Sequence, residues 1–165
     1  MRKPTLLALL MLLLAGCASG PRFPVGALER DLGPQDVAGH LDTFKGRRFV
    51  WGGRIVAAEN LADRTRLQIL AYPLDRSQRP QTDRAALGRF LAERAGYLET
   101  ADYAPGRLVT VQGWLRDSRR GQVGQAPYRF PVLEVEQLYL WPPAGAAEGD
   151  WRSHIQFGIG VLITN

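Results

Sequence analysis

Apolar and polar residues alternate along four segments of the chain, and this period of two predicts four β-strands. The segments are 49–57, 65–71, 108–115 and 128–141. In the first segment four apolar side chains share one parity and are expected to point the same way: Phe49, Trp51, Ile55 and Ala57. Pro73 ends the second segment, and Pro105–Gly106 predicts a turn before the third.

In the last predicted strand, apolar and acidic residues alternate and so lie on opposite faces. One face carries Leu133, Val135 and Tyr139, and the other carries Glu134 and Glu136. Because Pro131 has no backbone N–H donor, we expect the start of this strand at a sheet edge or a bulge.

Glycines interrupt the predicted strands at Gly52, Gly53 and Gly113. A glycine inside a strand often marks a bulge or a sharp bend, and small barrels need such bends to close. The pattern therefore favours a mainly β fold: a small antiparallel barrel of the oligonucleotide/oligosaccharide-binding (OB) type with one short helical element. A simple β-sandwich is the alternative, and periodicity does not choose between the two.

Three stretches between the strands are not assigned by alternation. Residues 87–98 fit a helix, since Leu87 and Leu91 recur at helical spacing, but Arg89–Ala92 also fits a short strand. Residues 74–84 and 116–124 are rich in charge and in turn-forming residues, and both are predicted to be loops.

The N-terminus has the three-part layout of a secretory signal. Positive residues 2–3, an apolar run at 6–14 and the small residues 15–16 precede Cys17, the single cysteine of the chain. A helix of nine residues extends about 14 Å, whereas the hydrocarbon core is roughly 30 Å thick. The apolar run is therefore too short to span a membrane.

Leu14–Cys17 resembles a bacterial lipobox. The resemblance implies a diacylglyceryl thioether at Cys17, cleavage before it, and acylation of the new amino group with a fatty acid such as palmitate. One acyl chain gives only marginal membrane binding, whereas three would keep the protein on its membrane. Ala18 follows, where an aspartate often retains a lipoprotein in the inner membrane, so we expect the outer membrane, with the leaflet left open.

These features divide the chain into five parts. They are a signal peptide (1–16), a lipid-anchored tether (17–34), an OB-like β domain (35–141), a Pro/Gly/Ala linker (142–150) and a C-terminal segment (151–165). The tether is predicted to hold the domain off the bilayer. Acylation of Cys17 leaves no thiol for a disulfide, so the fold must depend on its apolar core. Trp51, Trp114 and Trp141 are the largest side chains proposed to fill that core.

The C-terminal segment also alternates like a strand. Its apolar parity consists of Ile155, Phe157, Ile159, Val161 and Ile163. The length suits a membrane β-strand, but a lone strand in lipid leaves backbone groups without partners at several kcal/mol each. We therefore expect residues 151–165 to pair with a sheet edge, of this domain or of a partner. A disordered tail is the alternative.

Several motifs in order resemble the Slp family of outer-membrane lipoproteins. They are FVWGGRIV (49–56), YPLD (72–75), GRFL (88–91), GYLE (96–99), YAPGRLVTVQGWL (103–115) and YRFPVLEVEQLYLW (128–141). The resemblance implies a lipid-anchored OB-like domain, a strand at Arg89–Ala92 and a helical turn near Glu99–Tyr103. Glu99–Thr100 departs from the Asp-Pro usual in the family. The family brings no enzymatic activity or catalytic residues to carry over.

The histidines and acidic residues of the sequence do not form a clear catalytic or metal-binding pattern. His40 and His154 lie far apart without cysteine partners, so no zinc site is predicted, and no other metal, cofactor or catalytic residue is assigned. Glu134 and Glu136 could act as an acid/base pair, but a solvated strand face is the favoured interpretation. A hydrolase is accordingly the third hypothesis for function.

The net charge of the chain does not by itself indicate nucleic-acid binding. The net charge of +5 falls to +3 when Arg2 and Lys3 are removed with the signal, and an exported protein is not expected to meet nucleic acid. Three arginines, Arg116, Arg119 and Arg120, precede the GxxG sequence of Gly121–Gly124. They could contact lipid phosphates or lipopolysaccharide, although a solubilising hairpin tip is favoured.

The leading hypothesis is a non-enzymatic outer-membrane lipoprotein with a structural or binding role in the envelope or in stress tolerance. The alternative is a lipid-anchored OB module that binds an envelope oligosaccharide or a protein partner. An exposed aromatic ring beside the arginines would favour the glycan binder. The sequence leaves the oligomeric state open.

Overall fold

The computed structural model describes Phe23, Pro24 and residues 32–143, and the account below is confined to them. Two short helices precede five strands. In chain order the elements are α1 (Pro34–Ala38), α2 (Leu41–Phe44), β1 (Arg48–Asn60), β2 (Arg64–Tyr72), β3 (Arg89–Ala95), β4 (Leu108–Val123) and β5 (Ala126–Leu140). The predicted signal peptide, most of the tether including Cys17, the linker beyond Pro143, His154 and the C-terminal segment lie outside the described residues.

The five strands close into a barrel in the order β1-β2-β3-β5-β4. Neighbouring strands are antiparallel except β3 and β5, which pair in parallel from Leu91–Val132 to Glu93–Glu134. A five-stranded barrel of this kind is the OB architecture, which confirms the predicted fold. Within the described part of the chain, neither helix is long and apolar enough to cross a membrane.

The middle of β1 pairs with a neighbouring strand on each side, and glycine makes this possible. Residues 52–54 pair with β2 on one side and with β4 on the other. A Cβ atom on Gly53 would lie 1.9 Å from the carbonyl oxygen of Leu70, and one on Gly113 of β4 would lie 2.3 Å from that of Glu134. Since no side chain fits at such distances, the predicted role of these glycines in closing the barrel is explained by backbone approach.

Two bulges shift the side-chain parity that the sequence predicts. In β1 the register shifts between Ile55 and Ala57, so Ala58 packs against the core and Ala57 is exposed. The prediction that Ala57 shares the face of Ile55 is therefore wrong. A bulge inserts one extra residue and so reverses the alternation beyond it.

The same correction applies to the end of β5. Its register against β4 shifts between Gln112 and Gly113, and beyond this bulge Leu138 and Leu140 pack against the core. Tyr139 instead packs against Trp141, with ring centroids 4.7 Å apart. The prediction that placed Tyr139 on the same face as Leu133 is wrong.

The core fills the barrel interior and receives one side chain from α1. The fully buried apolar side chains include Val37, Phe49, Ile55, Leu67, Ile69, Phe90, Val109, Val111, Leu115 and Leu133. Of the three tryptophans proposed for the core, only Trp51 belongs to this cluster. Trp114 lies half-buried on the outside of the barrel, with the guanidinium of Arg48 4.8 Å from its ring centre. Trp141 also lies outside the barrel core but is covered by neighbouring residues.

Residues 116–124 are not the loop that their charge predicts. β4 continues to Val123, and residues 117–123 pair with 126–132 of β5 to form a two-stranded extension, here called the ribbon. The turn follows at Gly124, where φ is +60°. Strand pairing and an apolar face outweigh the charge, because Phe130 and Val132 of the ribbon pack against Leu91 of β3.

The ambiguous segment at 87–98 forms strand β3 rather than a helix, as the Slp resemblance implies. Near Glu99–Tyr103 the chain makes a hydrogen-bonded turn, with the N–H groups of Asp102 and Tyr103 donating to the carbonyl of Glu99. The described helices instead lie before β1. Residues 74–84 form a loop as predicted, with one isolated bridge between Leu74 and Pro80.

Candidate functional site

The outer surface of β2 and β3 carries a cluster of charged residues around Glu93. Phe90 and Ala92 point into the core, so the alternation of β3 places Glu93 outside the barrel. The residue is nevertheless only 7% exposed. A carboxylate withdrawn from water to this degree needs charged or hydrogen-bonding partners.

Three arginines from two strands supply those partners. Arg66 of β2 donates its Nε–H to Glu93 Oε1 over 2.9 Å, and Nη1 of Arg64 lies 3.3 Å from Oε2. Nη2 of Arg119, on the ribbon, lies 3.3 Å from Oε1. These four residues are here called the Glu93 cluster.

The charge of the cluster depresses the pKa of its carboxylate. Burial raises the pKa of Glu93, but the hydrogen bonds from Arg66 and Arg64 and the positive charges of Arg119 and Arg66 outweigh it, so the pKa lies below the ordinary 4.5. Glu93 is therefore ionised at neutral pH. A carboxylate held in this state is a poor proton donor and a weak base.

Two exposed acids lie at the rim of the cluster. Asp63 pairs with Arg64 over 2.7 Å, and this hydrogen bond lowers the pKa of Asp63 below its ordinary value. Glu59 lies 3.5 Å from Nη1 of Arg66. Arg119 has Glu93 as its ion-pair partner within the described residues and is half exposed, so its guanidinium faces both the cluster and solvent.

An apolar patch adjoins the cluster on the ribbon side. It consists of Leu91, Phe130 and Val132, with Val123 and Tyr128 packed against them. Tyr128 and Phe130 pack ring against ring at 4.7 Å, and the hydroxyl of Tyr128 accepts a hydrogen bond from the backbone N–H of Arg89. The ribbon is thus fixed to the barrel by apolar contacts and by the Arg119–Glu93 ion pair.

An exposed aromatic ring lies at the other end of the cluster. Tyr97 follows β3 and is 66% exposed, the one large apolar side chain found exposed among the described residues. Its hydroxyl donates to the carbonyl of Ala62, in the turn between β1 and β2. Gly96 forms a bridge with Arg64, so Tyr97 follows directly after the residue that pairs with the first arginine of β2.

The structure separates the three arginines that are adjacent in sequence. Arg116 pairs with Glu134, Arg119 pairs with Glu93, and Arg120 lies opposite Arg129 on the ribbon. The GxxG sequence at Gly121–Gly124 forms the end of β4 and its turn.

The carboxylates of Glu134 and Glu136 each have their own arginine. Arg116 pairs with Glu134, and Nε of Arg48 lies 3.2 Å from Glu136. His40 is exposed and contacts the backbone carbonyl of Asp36. Among the residues that the structure describes, no group of three or more metal-ligating side chains is found.

Sequence reasoning did not single out Glu93 or Tyr97. One signal was available: Arg66 lies in the predicted strand 65–71, Arg64 just before it has the same parity, and two guanidiniums on one face need an acidic neighbour. The partner strand and its register were not available from the sequence, and neither was the approach of Arg119 through the ribbon.

Comparison with known proteins assigns the family. The profile of the outer membrane lipoprotein Slp family matches residues 14–157, and that of the prokaryotic membrane lipoprotein lipid attachment site matches residues 1–18. The uncharacterized lipoprotein YeaY of Escherichia coli K12 is 34% identical, over 79% of this chain and 67% of its own. The outer membrane protein Slp of the same organism is 29% identical, over 86% of this chain and 76% of its own.

One solved structure is similar to this chain at low identity. It is a small single-stranded DNA-binding protein from Streptomyces coelicolor, 15% identical, with a TM-score of 0.34 over 58% of this chain and 94% of that one. The match over residues 14–157 extends from the lipobox through the whole barrel. The chain belongs to the Slp family of outer membrane lipoproteins and is anchored in the outer membrane by lipid.

Proposed function

We propose that this lipoprotein is a non-enzymatic binding protein whose ligand is an acidic oligosaccharide of the cell envelope. The observation that carries the proposal is the position of the exposed Tyr97 ring beside the Glu93 cluster. A flat ring offers a surface on which a sugar can stack, and neighbouring guanidiniums offer charged donors to a carboxylate or phosphate on that sugar.

The place of the cluster in the barrel supports a binding role. OB folds bind oligonucleotides and oligosaccharides on the face of strands 2 and 3, between the β1–β2 and β4–β5 turns. Arg64, Arg66 and Glu93 lie on that face. Tyr97 contacts the β1–β2 turn, and Arg119 approaches from the β4–β5 ribbon. This support is an analogy of fold, and the chemistry of the side chains supplies the rest.

Not all donors of these arginines are used within the protein. Each guanidinium has five N–H donors in a planar fork, and Glu93 engages one nitrogen of each arginine. Asp63 binds the two other nitrogens of Arg64. Arg119 is half exposed and contacts only Glu93 within the described residues. The buried carboxylate therefore fixes Arg119 in place while the other donors of Arg119 remain available to solvent. Such prior ordering lowers the conformational entropy lost on binding.

A binding role is favoured over catalysis by the state of Glu93. Three arginines hold this buried carboxylate ionised, so it can neither deliver a proton nor accept one readily near neutral pH. Its role in the proposal is to position Arg64, Arg66 and Arg119.

We further propose that Cys17 is the lipidated residue. The span matched by the lipid-attachment profile includes Cys17, and no other cysteine is available in the chain. Cys17→Ser should leave an uncleaved precursor that takes up no labelled fatty acid. Normal labelling of that variant would refute the assignment.

Binding to defined polysaccharides tests the ligand class. We would titrate the protein lacking residues 1–16 with polygalacturonate, a carboxylated chain, and with neutral dextran. Tyr97→Ala and Arg119→Ala should each weaken polygalacturonate binding about tenfold, corresponding to about 1.4 kcal/mol. Arg54→Ala, an exposed arginine on β1, is the matched control and should bind normally. Binding of dextran as tight as polygalacturonate, or equal binding by all variants, would overturn the proposal.

A protein partner is the second candidate, favoured by a different observation. Arg120 and Arg129 lie directly opposite each other on the ribbon, and no acidic side chain pairs with either within the described part of the chain. Like charges in direct opposition destabilise a strand pair, and an acidic protein surface would neutralise them. Arg120→Glu should then abolish a complex captured from crosslinked envelopes, whereas polygalacturonate binding should be unchanged.

A further inference from the structure

The chain just after the lipid attachment region is held against the barrel. The side-chain amide of Gln78 binds both backbone groups of Phe23, since Oε1 accepts from the Phe23 N–H over 2.6 Å and Nε2 donates to its carbonyl over 2.9 Å. A second amide, Nε2 of Gln112, donates to the carbonyl of Pro24 over 3.1 Å. The Phe23 side chain is buried. Gln78 and Gln112, with Thr110 between them, are here called the N-terminal slot.

The slot is a built feature rather than a surface contact. Gln112 and Thr110 are buried polar residues on the outer face of β4, because Val109 and Val111 point into the core. The Thr110 hydroxyl donates to the backbone carbonyl of Gln78 over 2.7 Å and accepts from Trp141 Nε1 over 2.9 Å. Gln78 has a φ of +64°, a left-handed backbone conformation that is unusual for a residue other than glycine. Local strain of this kind persists where surrounding contacts hold the residue in place.

We propose that the slot fixes the orientation of the barrel on the membrane, with the β1–β4 face towards the bilayer and the Glu93 cluster away from it. The proposal rests on the anchoring through Cys17 proposed above. Five residues separate Cys17 from Phe23, and the six extended steps between their Cα atoms span at most about 20 Å. The slot must therefore stay within that distance of the acylated cysteine.

The Glu93 cluster lies on the opposite side of the barrel. In the strand order β1-β2-β3-β5-β4, β3 is the strand that pairs with neither β1 nor β4. A domain of about 100 residues has a radius of gyration of about 13 Å and is therefore roughly 34 Å across. With the slot held near the bilayer, the cluster faces the aqueous space beyond the protein. Its acidic ligand is then a polymer of that space rather than a headgroup of the membrane that anchors the protein.

Spin labels on opposite faces test the orientation. Since Cys17 is acylated, Ser77→Cys beside the slot and Ala95→Cys two residues from Glu93 each give one labelling site. The full lipidated chain would be placed in phosphatidylcholine vesicles doped with a nickel-chelating lipid, and the relaxation enhancement of each label by headgroup nickel would be measured. We expect at least a threefold larger enhancement at residue 77 than at residue 95. A ratio of one or less would overturn the proposal.

Two variants separate the slot from the anchor. Gln78→Ala combined with Gln112→Ala should bring the ratio close to one without releasing the protein from vesicles, and an unchanged ratio would also overturn the role of the slot. Vesicle binding by the Cys17→Ser form of the protein lacking residues 1–16, which carries neither lipid nor signal peptide, would refute the anchor and the orientation together. If the Cys17→Ser protein does not bind vesicles but the lipidated chain fails to show the expected relaxation ratio, the orientation alone is refuted. Polygalacturonate binding by the soluble domain is independent of both results.

Discussion

Arg119 on the ribbon extends Nη2 to within 3.3 Å of the Glu93 carboxylate on β3. The pair joins two strands that do not pair with each other, because β5 lies between them in the barrel. It therefore ties the charged extension of β4 to the barrel wall and keeps an arginine at the edge of the OB ligand face.

Glu93→Gln should destabilise the domain by about 2 kcal/mol. The amide keeps a hydrogen bond from one arginine, but three guanidiniums lose their shared counter-charge, and removing one partner of a buried ion pair is costly. Urea unfolding of the soluble domain would measure the change. Glu134→Gln is the control, because its pair with Arg116 is more than half exposed and such pairs contribute little. Equal effects of the two substitutions would contradict the special position of Glu93.

Stability should also fall in acid because of Glu93. Its folded pKa lies below the ordinary 4.5, so its contribution is fully present above the unfolded pKa and is lost as pH falls through the folded pKa. The free energy of unfolding, measured from pH 6 down to pH 3, should drop less steeply in Glu93→Gln than in the parent. Parallel pH profiles for the two proteins would show that Glu93 is not responsible.

The sequence predicted the barrel because four of its strands alternate and its glycines lie where strands bend. It failed at Ala57 and Tyr139, since a bulge reverses parity and depends on the neighbouring strand, which a single sequence does not show. The charge and the turn-forming residues of 116–124 predict a loop, which is wrong. Their strand structure depends on pairing with β5 and on the contact of Phe130 with Leu91.

The candidate site was harder to predict from the sequence than the barrel, for a related reason. The three arginines of a single run were expected to act together. Strand geometry instead pairs Arg116 with Glu134 and Arg119 with Glu93. It places Arg120 opposite another arginine, Arg129. The Glu93 cluster instead collects residues from β2, β3 and β4, far apart in sequence. Only the register of the barrel brings them together.

Gly53→Ala should destabilise the barrel by about 3 kcal/mol or prevent folding. The added methyl group would lie 1.9 Å from the Leu70 carbonyl, where the paired backbones of β1 and β2 leave no room. Gly39→Ala is the matched control, because no atom lies within 4 Å of its added Cβ and its φ is −78°. Thermal melts followed by circular dichroism would compare the two. A Gly53→Ala protein as stable as Gly39→Ala would refute the account of barrel closure.

The C-terminal segment 151–165 remains a predicted strand in need of an edge, and the described barrel offers one. Closure pairs both sides of each barrel strand, but within the described residues the backbone of β5 before Val132 pairs with β4 alone, which leaves one side of residues 126–131 open. A strand added there would satisfy those backbone groups. Deletion of residues 151–165 should then lower the melting temperature by about 4–8 °C, corresponding to about 1 kcal/mol.

Hydrogen exchange distinguishes where that segment pairs. If it pairs within its own domain, the deletion should also speed amide exchange at residues 126–131 and leave β2 unchanged. If it pairs with a partner protein, the melt should be unchanged and a complex captured from crosslinked envelopes should disappear. An unchanged melt, unchanged complexes and fast exchange throughout 151–165 of the full chain would together refute strand pairing, because a paired segment must protect its own amides.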